Sequence, residues 1–239
     1  MKRIFFFSSV LLLSTLLFNS CQPCIDGHGP ITSEVRELDD FSKLEIKVPA
    51  DVLVHIGEFP KVSIRTHDDI IGEIKTKVRG NTLVIETNSC IGNIDELRID
   101  LVVTDLNSIS ISGSCALKLA RETQIKADDF DLEVSGSGRL IVDVLSNSVN
   151  AEINGSGDIN LRGTTKRLNV GINGSGDFRG LGLQVFDAKV EINGSGDASV
   201  NSKNTLEVEI NGSGEVEYTG NPKVKSDITG SGELKKLDR

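Results

Sequence analysis

The chain has no tryptophan and a single tyrosine, Tyr218, so nine phenylalanines supply nearly all its aromatic surface. Enzymes that hold sugars in clefts lean on aromatic platforms, and that support is nearly missing. Basic residues are also scarce: 26 Lys and Arg stand against 35 Asp and Glu, for a formal charge of −9. This balance excludes nucleic acid as a partner, because phosphate backbones need basic neutralisation. It is equally unsuited to electrostatic docking on anionic lipid. The three histidines, His28, His55 and His67, share no spacing with a nucleophile. No phosphate loop, dinucleotide fingerprint, zinc motif or nucleophile elbow is present. Helical periodicity is missing too, and the longest apolar run, Ile4 to Phe18, is short of the ~20 residues that span a bilayer.

That run instead has the form of an export leader. Lys2 and Arg3 precede it and Phe18-Asn19-Ser20-Cys21 follows it. A small residue before the first cysteine resembles a bacterial lipobox, relaxed here by Asn19. The resemblance implies cleavage before Cys21, acylation of its thiol, and residence in the outer membrane of a Gram-negative envelope. Without Lys2 and Arg3 the chain carries 24 basic and 35 acidic residues, a formal charge of −11. Three cysteines then remain. Cys24 and Cys90 both lie outside the repeats and are the expected disulfide in an exported chain. Cys115 stands where a repeat glycine normally does, and is expected to be a small buried thiol.

What the chain has in abundance is a repeat. INGSGD occurs at Ile153–Asp158, Ile172–Asp177 and Ile192–Asp197, followed by INGSGE at Ile210–Glu215 and ITGSGE at Ile228–Glu233. The first glycine of each copy falls at 136, 155, 174, 194, 212 and 230, and a degenerate copy, Ile111 to Cys115, precedes them. Before each corner, apolar residues alternate, as in Val149/Ala151/Ile153 and Leu206/Val208/Ile210. Such alternation is a strand with one buried face. A shorter alternation follows, as in Leu140/Val142/Val144, and then a polar connector such as Gly163 to Arg167. Asn-Gly is ordinarily a hairpin signal. Near-identity of every column favours a solenoid instead, because stacked coils must match the coil above and below at ~4.8 Å.

The expected fold is therefore all-β: a right-handed, single-stranded parallel β-helix or β-solenoid with coils of 18–20 residues. The expected organisation is a signal peptide (1–20), a tether (21–40), irregular coils (41–110) and regular coils (111–239). The corner glycine pairs, Gly155/Gly157, Gly174/Gly176, Gly194/Gly196 and Gly212/Gly214, are expected to supply both positive φ and close backbone approach. Asn154, Asn173, Asn193 and Asn211 are expected to form an amide ladder, and the corner serines a second one.

With these repeats behind a lipoprotein-like leader, residues from about Phe41 onward resemble the GIN domain family, described as auto-transporter adhesin head domains. The resemblance implies a solenoid-like all-β fold and no established activity. The chain also has no β-barrel translocator segment.

Two acidic columns carry what chemistry the repeat offers. One runs before the corner: Glu133, Glu152, Glu191, Glu209 and Asp227, interrupted by Gly171. The other follows it: Asp158, Asp177, Asp197, Glu215 and Glu233. The second is a candidate cation column, since Ca²⁺ gathers several carboxylate oxygens and would relieve like-charge repulsion. The simpler expectation is a solvated acidic face with no cofactor. No catalytic set is assigned. A polysaccharide-acting β-helix enzyme, pectate lyase-like or polygalacturonase-like, needs a base near Ca²⁺ or a carboxylate pair at a set separation. Acids spread evenly down columns do not supply that. The expected function is a lipid-anchored, non-enzymatic scaffold for adhesion to an envelope glycan or protein. A purely structural envelope component is the other non-enzymatic reading.

Overall fold

The computed structural model of the chain describes residues 24–238, so the expected leader and Cys21 lie outside it. The N-terminal third contains β1 (Ile31–Glu37), β2 (Lys43–Ile46), β3 (Asp51–Ile56), β4 (Lys61–His67), the one-turn α1 (Asp68–Ile71), β5 (Ile74–Arg79), β6 (Thr82–Thr87) and β7 (Arg98–Val103). Then come β8 (Ser108–Gly113), β9 (Ala116–Leu119), β10 (Ile125–Gly136), β11 (Arg139–Gly155), β12 (Asp158–Gly174), β13 (Asp177–Gly194), β14 (Asp197–Gly212), β15 (Glu215–Thr219), β16 (Lys223–Gly230) and β17 (Glu233–Lys236). From β8 onward all ladders are parallel, and the chain winds as a β-solenoid of about seven turns.

The register stacks like on like. Ile153 lies beside Ile172, Ile172 beside Ile192, Ile192 beside Ile210 and Ile210 beside Ile228. The alternating apolar residues all point inward, and Val134, Ile153, Ile172, Val190 and Ile192 have no exposed surface. Each such Val, Leu or Ile contributes roughly 1.5–3 kcal/mol over leaving it in water. Phe130 and Phe178, also buried, fill the larger interior spaces.

Each corner depends on its first glycine. Gly155, Gly174, Gly194 and Gly212 have φ between 130° and 146°, a region closed to residues with a Cβ. The carbonyl of each also accepts an amide from the next coil: Ser175 N–H reaches Gly155 O, Ser195 N–H reaches Gly174 O and Ser213 N–H reaches Gly194 O, all at 2.8 Å. A Cβ on Gly155 would lie 2.6 Å from Gly136 O, and one on Gly194 or Gly212 would press closer still on the glycine carbonyl of the coil before.

The second glycine of each pair corrects half of the expectation. Gly157, Gly176, Gly196 and Gly214 do not take positive φ, so the left-handed turn is made by the first glycine alone. Close approach is what requires the second one. A Cβ on Gly157 would run into Val134 and the carbonyl of Gly138. On Gly176 it would meet Gly157 O and Ile153, on Gly196 Gly176 O and Ile172, and on Gly214 Gly196 O and Ile192. The second glycines thus stack carbonyl to Cα up the rod, with an isoleucine of the preceding coil packed on the inner side of the last three.

The other corner is not the break that its polar sequence predicts. Strands β11 to β14 each run 16–18 residues and continue through it, with the ladder broken only at bulges. In three of these coils its inward residue is a small hydroxyl, with Val185 in the fourth: Ser146 donates to Thr165 Oγ1 at 3.1 Å, and Thr165 and Ser202 are fully buried. Hydroxyls satisfied locally let the chain bend without leaving an orphaned buried donor. Here too the variable coil length is absorbed. The register slips between Asn160 and Arg162, and again around Gly180–Asp187, while the glycine corners stay aligned.

The N-terminal coils are not stacked in chain order. The β2–β3 coil lies between β8–β9 on one side and β6–β7 on the other, all in parallel. Beyond β6–β7, pairing turns antiparallel: β5 covers β6, β4 covers β7 and β1 covers β4. The expected tether thus contains a strand, and the segment before it is fastened down. Cys24 and Cys90 are joined by a disulfide. Ile25 N–H donates to Cys90 O at 2.8 Å, and Gly92 N–H to Ile25 O at 2.9 Å. Arg36 on β1 donates to the carbonyls of Ile74 (2.7 Å) and Ile71 (3.2 Å). Among the described residues, the other end has no such cover. In β16, Val224 is 41% and Ile228 38% exposed, whereas Ile210 one coil inward is fully buried.

Two expectations follow. Gly194→Ala combines a forbidden φ with a backbone clash and should cost about 3–5 kcal/mol of unfolding free energy, read from urea denaturation. Cys90→Ser should lower stability by up to about 4 kcal/mol, given the 66-residue separation of the bridged cysteines. It should also expose residues 24–30 to limited proteolysis.

Candidate functional site

Two outward faces flank the line of glycine corners. On the face before the corner, β10 to β14 and β16 present three columns. Nearest the corner, Asn211 donates to Asn193 Oδ1 (3.2 Å), Asn193 to Asn173 (3.1 Å) and Asn173 to Asn154 (3.0 Å). Asn154 ends the ladder by donating to Glu152 Oε1 at 3.0 Å. The amide-to-amide bonds all run one way, and at the far end Asn211 also donates to Glu209 Oε1 at 3.2 Å. The corner serines do not repeat the device. Their coil-to-coil bonds come from the backbone amide, and their side chains are exposed.

The middle column is the expected acidic one, with Glu133, Glu152, Gly171, Glu191, Glu209 and Asp227 in continuous register. Its carboxylates are not bare. Glu133 accepts from Ser110 (3.1 Å) and Ser135 (3.2 Å), and Glu191 pairs with Lys189 at 3.1 Å. The third column is not apparent from the motif: Asp131, Asn150, Asn169, Lys189, Glu207 and Lys225. Asn150 donates to Asp131 and Asn169 to Asn150, both at 2.9 Å. Farther along, Lys225 pairs with Glu207 at 2.6 Å, which lowers the Glu207 pKa and raises that of Lys225. Both groups are fully solvated, so the pair adds little stability. The signal for this column was available two residues before each acid. It escapes a search for repeated identities because its residue types change from coil to coil.

On the face after the corner, Asp158, Asp177 and Asp197 stack in register, and Glu215 stacks on Glu233. Arginines interrupt this column. Arg139 lies beside Asp158 and pairs with it at 2.9 Å, and Arg179 bridges Asp158 (3.2 Å) and Asp177 (2.6 Å). Asp197 accepts the Glu215 amide at 2.9 Å, and Glu215 and Glu217 share Lys235 at 3.9 and 3.6 Å. Asp158, Asp177 and Glu215 thus have cation partners within the chain, while Asp197 is met by a backbone amide. Among the described residues, no three of His, Cys, Asp and Glu converge as metal ligands.

His67 is buried. Its Nδ1–H donates to Gly29 O at 2.6 Å, and Asp95 N–H donates to Nε2 at 3.4 Å. The Asp95 carboxylate also lies 3.5 Å from Nε2, and the ring clamps the N-terminal segment through Gly29. Cys115 is buried in place of the repeat glycine, and burial pushes its thiol pKa up to about 12.

The fold is a parallel β-solenoid whose two outer faces beside the glycine corners carry columns of polar side chains. The family model described as "Putative auto-transporter adhesin, head GIN domain" matches residues 40–222, and the chain belongs to that family. Three solved structures share the fold. A putative adhesin from Bacteroides fragilis is 20% identical, with TM-score 0.84, covering 89% of this chain and 100% of its own. A putative lipid binding protein from Parabacteroides distasonis is 22% identical, with TM-score 0.77, covering 90% of this chain and 100% of its own. A putative adhesin from Parabacteroides merdae is 18% identical, with TM-score 0.71, covering 90% and 99%. No curated protein matches the chain. Among the described residues, no helix is long and apolar enough to cross a membrane.

Because a protonated, buried thiol is a poor nucleophile, Cys115 should resist a thiol reagent at pH 8 in the native protein. It should react on unfolding in urea, which thiol-labelling kinetics would read.

Proposed function

We propose that the chain is a non-enzymatic adhesion scaffold of the cell envelope, held by an acyl anchor on Cys21 and presenting its polar faces to an envelope glycan or protein. The observation that carries this reading is the face before the corner. Its polar side chains run in continuous columns, hydrogen-bonded or ion-paired with one another and fixed on a backbone with no freedom at the glycine corners. Such a face is pre-organised, and little side-chain entropy is lost when a partner covers it. Membership of an adhesin-head family points the same way.

The anchor fits the fold. Only Gln22 and Pro23 separate Cys21 from the disulfide-bonded Cys24. A stretch that short reaches about 10 Å at most. An acylated Cys21 would hold the disulfide end close to the bilayer, with the acidic solenoid projecting from it. The name of the Parabacteroides distasonis protein suggests lipid as a ligand, but the interior of this solenoid is filled by its own side chains, Phe130 and Phe178 included. Glycan or protein on the outer faces is the better fit.

Two experiments test the reading. Cys21→Ser should move the protein from the membrane fraction to the soluble one and abolish labelling by a fatty-acid probe. Unchanged partitioning would overturn the anchor. The full mature chain, screened against envelope glycans and purified envelope proteins, should bind at least one class. Silence across the panel at high concentration would overturn the scaffold, and release of unsaturated products from pectin would make the chain an enzyme instead.

A further inference from the structure

An open groove of about 800 Å³ lies on the face before the corner, runs over five coils from Ser108 to Asn193, and takes in the gap in the acidic column at Gly171. Gly171 is not a structural glycine like those of the corners. It has an ordinary φ, and a Cβ there would meet nothing closer than Glu152 Cγ at 4.0 Å. Every other regular coil carries Glu or Asp at this position. The backbone therefore tolerates a side chain, and its omission leaves a hollow one coil wide, between Glu152 and Glu191 two coil steps apart.

The hydrogen-bonding character of the hollow follows from the ladders that end there. Asn169 spends its Nδ2 on Asn150, and the next coil replaces asparagine with Lys189, so the column's run of amide-to-amide bonds ends at Asn169 Oδ1. Glu152 already accepts one bond from Asn154, and Glu191 one from Lys189, leaving each carboxylate with spare acceptor capacity. The free capacity is thus mostly acceptor, with one ammonium, Lys189, at the edge. A matching ligand must be rich in donors. It cannot be anionic, because two carboxylates flank the hollow. A cationic ligand would face the ammonium of Lys189, which already neutralises Glu191. Paired hydroxyls on a neutral ring meet both conditions, donating to the carboxylates and accepting from Lys189.

We infer that the Gly171 hollow is a subsite for one sugar unit of a neutral glycan, gripped between Glu152 and Glu191. This assignment rests on the scaffold reading above and narrows it to one place and one ligand class. With no aromatic platform in the groove, single-site affinity is low and a polymer gains by occupying several coils.

The test fills the gap. Gly171→Gln and Gly171→Glu restore the repeat's own volume at an unstrained position, so melting should be unchanged. The probes are soluble dextran, mannan and xyloglucan, with polygalacturonate and polylysine as charged controls, measured by affinity electrophoresis and calorimetry. The wild type should bind a neutral glycan, and both variants should lose about tenfold or more of that affinity, as when one or two hydrogen bonds to charged groups are removed. Glu191→Gln should weaken binding with the groove's shape kept. If the gap-filled variants bind as the wild type does, this groove is the wrong place and the scaffold reading survives. If only polylysine binds, and Gly171→Gln abolishes it, the hollow takes a basic peptide and the sugar assignment is overturned. If the wild type binds none of these polymers, the sugar assignment falls, while the scaffold reading stands or falls on its own screen of envelope glycans and proteins.

Discussion

In each regular coil, the glycine carbonyl sits where the next coil's glycine must pass. The carbonyl accepts an amide from that coil, and there is no room between them for a Cβ. A one-residue slip would place asparagine or serine, each with a Cβ, in that contact. It would also turn every inward Ile and Val outward. The corner therefore holds the register of the whole rod, and the columns of the faces follow from it. Asparagine ladders, acid columns and the Arg139–Asp158–Arg179 cluster exist because residues 18–20 apart in sequence are brought to neighbouring positions.

The two corners divide the work. The first glycine of the corner stays aligned from coil to coil, whereas changes in coil length are taken up at the polar corner and just before it. Its interior is lined with hydroxyls such as Thr165 and Ser202, which bond locally whatever the exact bend. Bulges at Gly180–Asp187 then leave Phe186 41% exposed with Lys203 Nζ 5.2 Å above its ring. Length variation thus alters one edge of the rod without disturbing the faces beside the glycines.

The ends of the rod are handled unequally. Antiparallel strands cover the N-terminal edges, and the disulfide and the buried His67 fasten the leading segment there. The C-terminal coil is open, but its edge strands carry Lys223, Lys225, Lys235 and Lys236. Charge of that kind discourages edge-to-edge pairing.

The regular part of this protein is readable from its residues alone. The glycine spacing and the two-residue alternation define strand faces, coil length and columns, because a parallel stack maps sequence period directly onto position. Gly171 was visible as a gap in its column, and the asparagine ladder followed from the motif. Only the tertiary structure decided the rest. Two glycines recur in every corner, yet only stacking shows that Gly174 is needed for its φ and Gly176 for the carbonyl pressed against it. The β2–β3 coil is inserted out of chain order, which no local pattern encodes, since pairing partners there are chosen by long-range packing. The polar connectors remain strand because hydroxyls can be buried when a neighbouring coil satisfies them. Arg179 reaches two acids on two coils, and Asn169 ends one amide run, because of what the adjacent coil supplies. Period made the scaffold legible, while the chemistry of its faces depended on neighbours that only stacking brings together.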